Sequence, residues 1–424
     1  MNVKRILFPT LFLLLFLAPD MQAAEPKKAL SQPEEYNTEN ADIATLTDAF
    51  TFKFKDKVSL KLYGKIEMLS YYDTTSPVIS DWLVYLYPRG TYNGQQPSMS
   101  MSVRGSPFGF LFNMPKSIGE ADLNARLEMD FVGGFTTGTM SVYSPLNRLK
   151  QAYVSLDGEH FGLLLGQSFV IFSPLFPAQA SWIGLGTSGN PWMRLPQIRF
   201  TAKYNPVKFE FSVNRPMAAN VTYTNSVDDI ISDGEQSRTP IVMSRLGYAG
   251  KFEDWLLETG ISGVYGKEKI HREESGITLD RNLNISLLGY DLKIVTKYID
   301  LMGEAFIGDN INSFFGGIMQ GVYIDVANNI CNAVKTYGGW VQLTFKPTAA
   351  WYFNVGSGFD RPRQRDLVVS TARSFNSTTF LNGNYIFNKW FNVGLELSHI
   401  QTSYIDASKS NSNFRTLLRT TFIY

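Results

Sequence analysis

Residues 121–131, ADLNARLEMDF, place Ala121, Leu123, Ala125, Leu127, Met129 and Phe131 on one side and Asp122, Asn124, Arg126, Glu128 and Asp130 on the other. A period of two sustained this long predicts a strand with one apolar and one aqueous face. A helix over the same residues would ring its surface with Leu and Met. The alternation recurs along the chain. Leu60, Leu62, Ile66 and Met68 oppose Lys61, Lys65 and Glu67. Ile198, Phe200, Ala202 and Tyr204 oppose Gln197, Arg199, Thr201 and Lys203. Val207, Phe209, Phe211 and Val213 oppose Lys208, Glu210, Ser212 and Asn214, and Phe414, Leu418, Phe422 and Tyr424 oppose Arg415 and Arg419.

A soluble sandwich also alternates, so the connections decide. Between residues 58 and 424 the pattern supports about sixteen strands, an even number. Tight turns at Asp157–His160, Asn205–Pro206, Lys251–Asp254, Thr296–Ile299, Pro347–Ala349 and Phe387–Trp390, with a slightly longer one over 111–119, take every second connection. The others are long: 73–97, 132–146, 170–195, 216–239, 267–281, 310–337, 362–376 and 404–412. Short turns at one end and long loops at the other are the mark of a membrane barrel. Backbone groups in hydrocarbon need internal partners, so such a sheet must close. About sixteen strands leave a lumen too wide for side chains to fill. The expected fold is all-β, a closed antiparallel transmembrane β-barrel. Its last strand ends on Tyr424 with Phe422 two before it, similar to the terminal recognition signal of outer-membrane proteins.

The N-terminus supplies a compartment. Lys4 and Arg5 precede the apolar run Ile6–Leu17, and Ala23 and Ala24 offer a cleavage site, so residues 1–24 read as a secretory signal peptide. Residues 25–57 read as a polar periplasmic N-terminal segment without heptads, and 58–424 as the barrel. Removing Lys4, Arg5 and Asp20 with the signal brings basic and acidic residues into balance, so electrostatic selectivity must come from placement. Aromatics reach 14%, which suits the girdles of a barrel. The single cysteine, Cys331, falls in an expected loop and reads as an isolated thiol.

Several stretches resemble the DcaP-like family of trimeric outer-membrane porins: GLLLGQSFVIFSPLFP over 162–177, LPQIRFTAKY over 195–204, GYDLKIVTKYIDLMGEAFIGDNINSFFGGIMQG over 289–321, and LYGK over 62–65. Phe169 follows Gly166-Gln167-Ser168 where Trp is expected. The resemblance implies a sixteen-stranded barrel, a homotrimer in the bacterial outer membrane, contact with lipid and lipopolysaccharide, and passage of small organic anions such as dicarboxylates.

No catalytic constellation stands out. His160, His271 and His399 are scattered, no Cys/His metal spacing is present, and no serine sits in a nucleophile elbow. Gly316, Gly317 and Gly321 do not match a phosphate loop and read as loop backbone. No enzyme activity, cofactor, metal or nucleic-acid partner is expected. An energised receptor would need a plug domain and about 22 strands. That leaves a diffusion porin and, as the alternative, a structural or adhesive barrel occluded by its own loops.

The inward faces carry Arg104, Arg126, Arg199, Lys203, Arg245, Lys293, Arg415 and Arg419 with Glu67, Glu128, Asp130, Glu210, Glu304 and Glu396. Charge on the lipid face would cost about 2–4 kcal/mol at the midplane, so the set argues for a water-filled lumen. Each member alone also reads as a solvated or salt-bridged wall residue. Arg361, Arg363 and Arg365 either line the mouth or solubilise a loop. From Ser168 through Met193 no residue is charged, while Phe169, Phe172, Phe176, Trp182 and Trp192 supply apolar surface. An exposed loop would be polar. This one is expected to fold inward as a constriction, or else to pack at a subunit interface or beneath other loops. Pore-lining residues are then expected among Arg104, Arg126, Glu128, Asp130, Arg194, Arg199, Lys203, Arg245, Arg415 and Arg419, with a modest preference for anions.

Overall fold

The computed structural model describes residues 50–54, 57–133, 145–217, 233–367 and 369–424. The signal-peptide reading of 1–24, most of the 25–57 segment and parts of the loops 132–146 and 216–239 lie outside the described residues.

The strands in chain order are β1 Thr51–Lys53, β2 Ser59–Asp73, β3 Ser98–Ser102, β4 Phe108–Ile118, β5 Ala121–Asp130, β6 Arg148–Asp157, β7 Phe161–Phe169, β8 Arg194–Tyr204, β9 Val207–Asn214 and β10 Ile241–Lys251. They continue with β11 Trp255–Glu274, β12 Ile277–Thr296, β13 Ile299–Asp309, β14 Val322–Asp325, β15 Ile330–Ala333, β16 Lys335–Phe345, β17 Trp351–Pro362, β18 Arg373–Asn388, β19 Phe391–Tyr404 and β20 Asn411–Ile423.

Each barrel strand pairs antiparallel with its neighbours, and β20 returns to β2 in the register Lys65↔Ile423, so the sheet closes. The result is a closed antiparallel barrel of 16 strands. β3 and β4 share one strand position: β3 pairs with the upper part of β2 and β4 with its lower part. β1 pairs with Ser59–Lys61 on the opposite edge of β2, the one that meets β20, below the point where β20 ends. Tyr424 and Gly64 exchange backbone hydrogen bonds at 3.0 and 3.1 Å, so the C-terminal residue completes the seam.

Polarity runs inside out. On β5, Leu127 is 40% exposed and the adjacent Glu128 2%; on β19, Leu397 is 53% exposed and Glu396 0%. Apolar side chains cover the outer wall, and polar and charged ones are enclosed. A closed sheet with an apolar exterior and a polar interior is a membrane-spanning barrel.

The structure differs from the sequence reading in four places. Residues 111–118, expected as a turn, belong to β4, and the hairpin to β5 closes at Gly119–Glu120. Residues 267–281, expected as a loop, continue β11 and β12 into a long hairpin that closes at Ser275–Gly276. Both turn residues have positive φ, 51° and 80°, as a tight hairpin turn of the I′ kind requires. Charges from Lys267 to Glu274 look like a solvated loop, but here the hairpin outgrows its neighbours, and strands standing in water need no apolar face. Ser275-Gly276 was the readable signal. The segment 310–337 holds the β14–β15 hairpin, which packs Val322, Ile324, Val326 and Cys331 against Ile270, Leu279 and Leu283 of β11–β12. His271 and Cys331 therefore sit on strands rather than in loops. Finally, the segment between β2 and β3 does not stay outside: Leu83, Val84 and Leu86 are buried within the barrel.

Candidate functional site

The uncharged stretch between β7 and β8 folds into the lumen and follows the inner wall. Its anchors fall in sequence around the barrel. Ser262 of β11 donates to the Phe172 carbonyl at 3.0 Å. Glu304 of β13 accepts from Ser173 Oγ at 2.5 Å and from the Leu175 amide at 2.8 Å. Gln342 of β16 accepts from the Ala178 amide at 2.7 Å, and Asn382 of β18 donates to the Ala178 carbonyl at 2.7 Å. Glu396 of β19 accepts from the Ala180 amide at 2.6 Å, and Glu67 of β2 accepts from Trp182 Nε1 at 2.5 Å. The chain then turns back, and Ser188 meets Thr378 of β18 at 2.9 Å. The physical reason is plain. A loop without charge brings only backbone dipoles and aromatic rings, and buried amides need acceptors. The inward carboxylates of Glu67, Glu304 and Glu396 serve as those acceptors.

Two further segments join it. The 74–97 segment brings Val84, whose carbonyl accepts from Thr187 Oγ1 and, at 2.8 Å, from Asn376 Nδ2. The segment after β13 brings Phe314 and Phe315, and the Phe314 carbonyl accepts from the Trp192 amide at 3.1 Å. Together Val84, Phe176, Ile183, Trp192 and Phe315 form an apolar cluster inside the barrel, flanked by Trp82 and Phe169. Gly316 and Gly317 are buried here, and Ile318 donates its amide to Asp360 of β17 at 3.2 Å. Phe172 packs edge-on against Phe314, with centroids 5.1 Å apart.

The lumen is therefore unequal. Across from the anchored segments, an open cavity lies against β2, β5 and β6 and against Gly105 and Pro107 in the break before β4. Its charged lining is Lys65, Arg148, Lys150 and Arg194 against Glu67, Glu128 and Asp130, and Trp82, Trp182 and Trp192 face it from the inward segments. Glu128 accepts from Arg126 at 2.5 Å and from Tyr63 at 2.7 Å, and pairs with Lys150 at 3.1 Å. Asp130 receives Arg148 through two nitrogens, at 3.1 and 2.7 Å. The Arg194 guanidinium lies 4.1 Å from the Phe169 ring centre and 5.1 Å from that of Trp192. Arg148 similarly lies over Trp82 at 5.5 Å. Stacked guanidinium groups keep their charge while their direction is fixed by the ring.

Of the expected pore-lining residues, Glu128, Asp130 and Arg194 border this cavity, and Arg126 stands directly behind Glu128. The rest are dispersed. Arg104 pairs with Asp81 at 2.7 Å, on the inward 74–97 segment. Arg199 bonds the Phe169 carbonyl and Gln197 and lies 3.9 Å from Glu210. Arg245 grips Asp291 at 2.9 and 2.7 Å, Arg415 grips Asp73 at 2.9 and 2.8 Å, and Arg419 donates to Asn384 at 3.0 Å. Lys203 sits beside the short turn, 3.4 Å from the Gly158 carbonyl. Lys293 pairs with Glu258 at 3.5 Å, and Arg363 is tied to Asp366 in the turn after β17. Acidic partners thus offset Arg104, Arg126, Arg245 and Arg415, so the field at the opening does not follow from the arginines alone.

The sequence reading missed Tyr63, Lys65, Trp82, Arg148 and Lys150. The register between β5 and β6 slips where Glu128 meets Gln151 and Met129 meets Leu149, leaving Lys150 as the extra residue of a bulge. A bulge re-aims side chains. Two consecutive polar residues, Lys150-Gln151, interrupt an otherwise alternating strand and were the available signal.

Neither a protein-family model nor a curated protein matches the chain. Among solved structures, the outer-membrane channel DcaP of Acinetobacter baumannii superposes with a TM-score of 0.68 at 16% identity, covering 88% of this chain and 99% of that one. OmpF of Salmonella typhi, solved with daunomycin, gives 0.56 at 12% identity over 88% and 100%. An anion-selective porin from Comamonas acidovorans gives 0.53 at 11% identity over 87% and 100%. The resemblance to DcaP-like porins seen in the sequence stretches is thus matched in three dimensions. At these identities the likeness is one of fold, and the fold, in this chain a closed 16-stranded barrel, is that of bacterial outer-membrane porins.

Proposed function

We propose that this protein is an outer-membrane porin, exported by the signal peptide at 1–24, that lets small hydrophilic solutes diffuse passively and favours small organic anions such as dicarboxylates. The observation that carries this reading is the open cavity, whose charged lining has one more basic than acidic residue, with Arg194 and Arg148 held against aromatic rings. Fixed cations in a narrow, low-dielectric opening attract anions and repel cations. The fold neighbours, one of which is described as a trimer, support a homotrimer whose remaining outer wall meets lipid and lipopolysaccharide.

Reconstitution in a planar bilayer under a KCl gradient tests the reading. Stepwise currents whose reversal potential favours chloride are expected. A reversal potential that favours potassium would overturn the anion preference. Mass measurement in mild detergent should give three chains, and a conducting monomer would overturn the trimer. The apolar cluster inside the barrel gives specific support to the alternative, a barrel occluded by its own loops. A folded protein that carries no current would establish that alternative.

A further inference from the structure

The wall strand between β3 and β4 is broken at 103–107, and the constriction segment reaches across the lumen to this break. We infer that Trp182 sets the width of the opening, and that Gly105 is the seat that keeps its ring back against the wall. This inference rests on the channel reading. A Cβ on Gly105 would stand 2.0 Å from Trp182 Cε2 and 2.4 Å from Cζ2 and Nε1. No side chain fits there while the indole stays in place. Gly105 has no left-handed backbone that would itself demand glycine, so the ring is the reason for the residue.

Three contacts define the position of the indole. Its Nε1 donates to Glu67 Oε1 at 2.5 Å. Its ring packs on the cluster of Leu69, Tyr71, Ala180 and Leu417. Its remaining surface borders the open cavity with Tyr63, Lys65 and Glu67. Glu67 is held in turn, with Lys65 at 3.1 Å and its amide bonded to Ser106 Oγ, inside the wall break, at 3.0 Å. Trp182 is the point where the anchored segment passes from the filled side of the lumen to the open side. A large rigid ring fixed on both edges there limits what passes beside it.

The test uses the full-length mature protein in liposomes and planar bilayers. Swelling rates with a series of neutral sugars of rising size give the exclusion limit, single-channel conductance gives the bore, and heat-modifiable gel mobility checks folding. Trp182→Ala should raise conductance about twofold or more and admit larger sugars, since bore diameter governs both. Trp182→Phe, which keeps a ring but loses the donor to Glu67, should keep the exclusion limit and add open-channel noise. Gly105→Ala should lower conductance by pushing the indole into the opening, and should do nothing in a Trp182→Ala background. A conducting wild type whose Trp182→Ala variant has the same conductance and cut-off would overturn the inference and leave the porin reading intact. Equal effects of Gly105→Ala in both backgrounds would overturn the seat. A silent wild type opened by Trp182→Ala would support the role of Trp182 and overturn passive diffusion. Silence in every folded variant would overturn both.

Discussion

The two sides of this lumen are built from the same strand pattern and come to opposite ends. Along β11 to β19 the inward polar groups are consumed. Glu304, Gln342, Asn382 and Glu396 accept from or donate to the backbone of the constriction segment, and apolar side chains fill the space between. Along β2, β5 and β6 the inward charges pair with one another, as in Lys150–Glu128 and Arg148–Asp130, and still face an open cavity. The difference teaches that an inward carboxylate on a barrel wall is not by itself part of the ion path. Its meaning depends on whether a loop amide or water reaches it.

The largest expected effect comes from removing the acceptors on the filled side. In Glu304→Ala with Glu396→Ala, the Leu175 and Ala180 amides lose their acceptors, and the Ser173 hydroxyl is left with Asn190 Oδ1 alone. Each buried group left unsatisfied costs about 1–3 kcal/mol. The segment should leave the wall, with higher and noisier conductance and new cleavage by protease between residues 170 and 193. Unchanged conductance and protease resistance would show that the wall carboxylates do not hold the segment.

A smaller effect is expected on the open side. Arg148→Glu with Lys150→Glu reverses two lining charges without touching the anchors, and should move the reversal potential toward potassium while conductance changes little. Lys203→Glu, a single reversal beside a short turn away from the cavity, serves as the control and should shift it by much less than half as much. Equal shifts from both would mean that selectivity is spread along the whole lumen rather than set at the cavity.

Much of the wall was legible because a period of two is a local property. Leu127 faces out and Glu128 faces in for reasons contained within a few residues. For the constriction segment the sequence showed that an uncharged run with Phe172, Phe176, Trp182 and Trp192 must be covered, and left the lumen, a subunit interface and the underside of other loops as the choices. Partnership was not legible. Asp81 reaches Arg104 because the 74–97 segment also enters the barrel; its apolar run Trp82–Leu86 was the available signal, and the flanking charges Asp81 and Arg89 made it read as an exposed loop. Lys150 escaped notice because a bulge shifts parity by one residue. The hairpin over 267–281 escaped because strands that stand clear of the membrane lose the apolar face by which barrel strands are recognised.

The smallest expected effect lies outside both sides and bounds the comparison. Cys331 is on β15, packed with Val322 and Ile324 against Ile270, Leu279 and Leu283 on the projecting ends of β11 and β12. Burial pushes its thiol pKa up, reinforced by Glu268 and partly offset by Arg281 and Arg272. A raised pKa means less thiolate at a given pH, and thiolate is the reactive form. Alkylation by a water-soluble maleimide near pH 8 should therefore run slower than for an exposed cysteine in a peptide, and should quicken as pH rises. The hairpin touches neither the anchors nor the cavity lining, so Cys331→Ser should leave conductance and ion preference as they are. A changed reversal potential in Cys331→Ser would place part of the selective path at the outer hairpins, and the contrast between filled and open sides would then no longer account for selectivity.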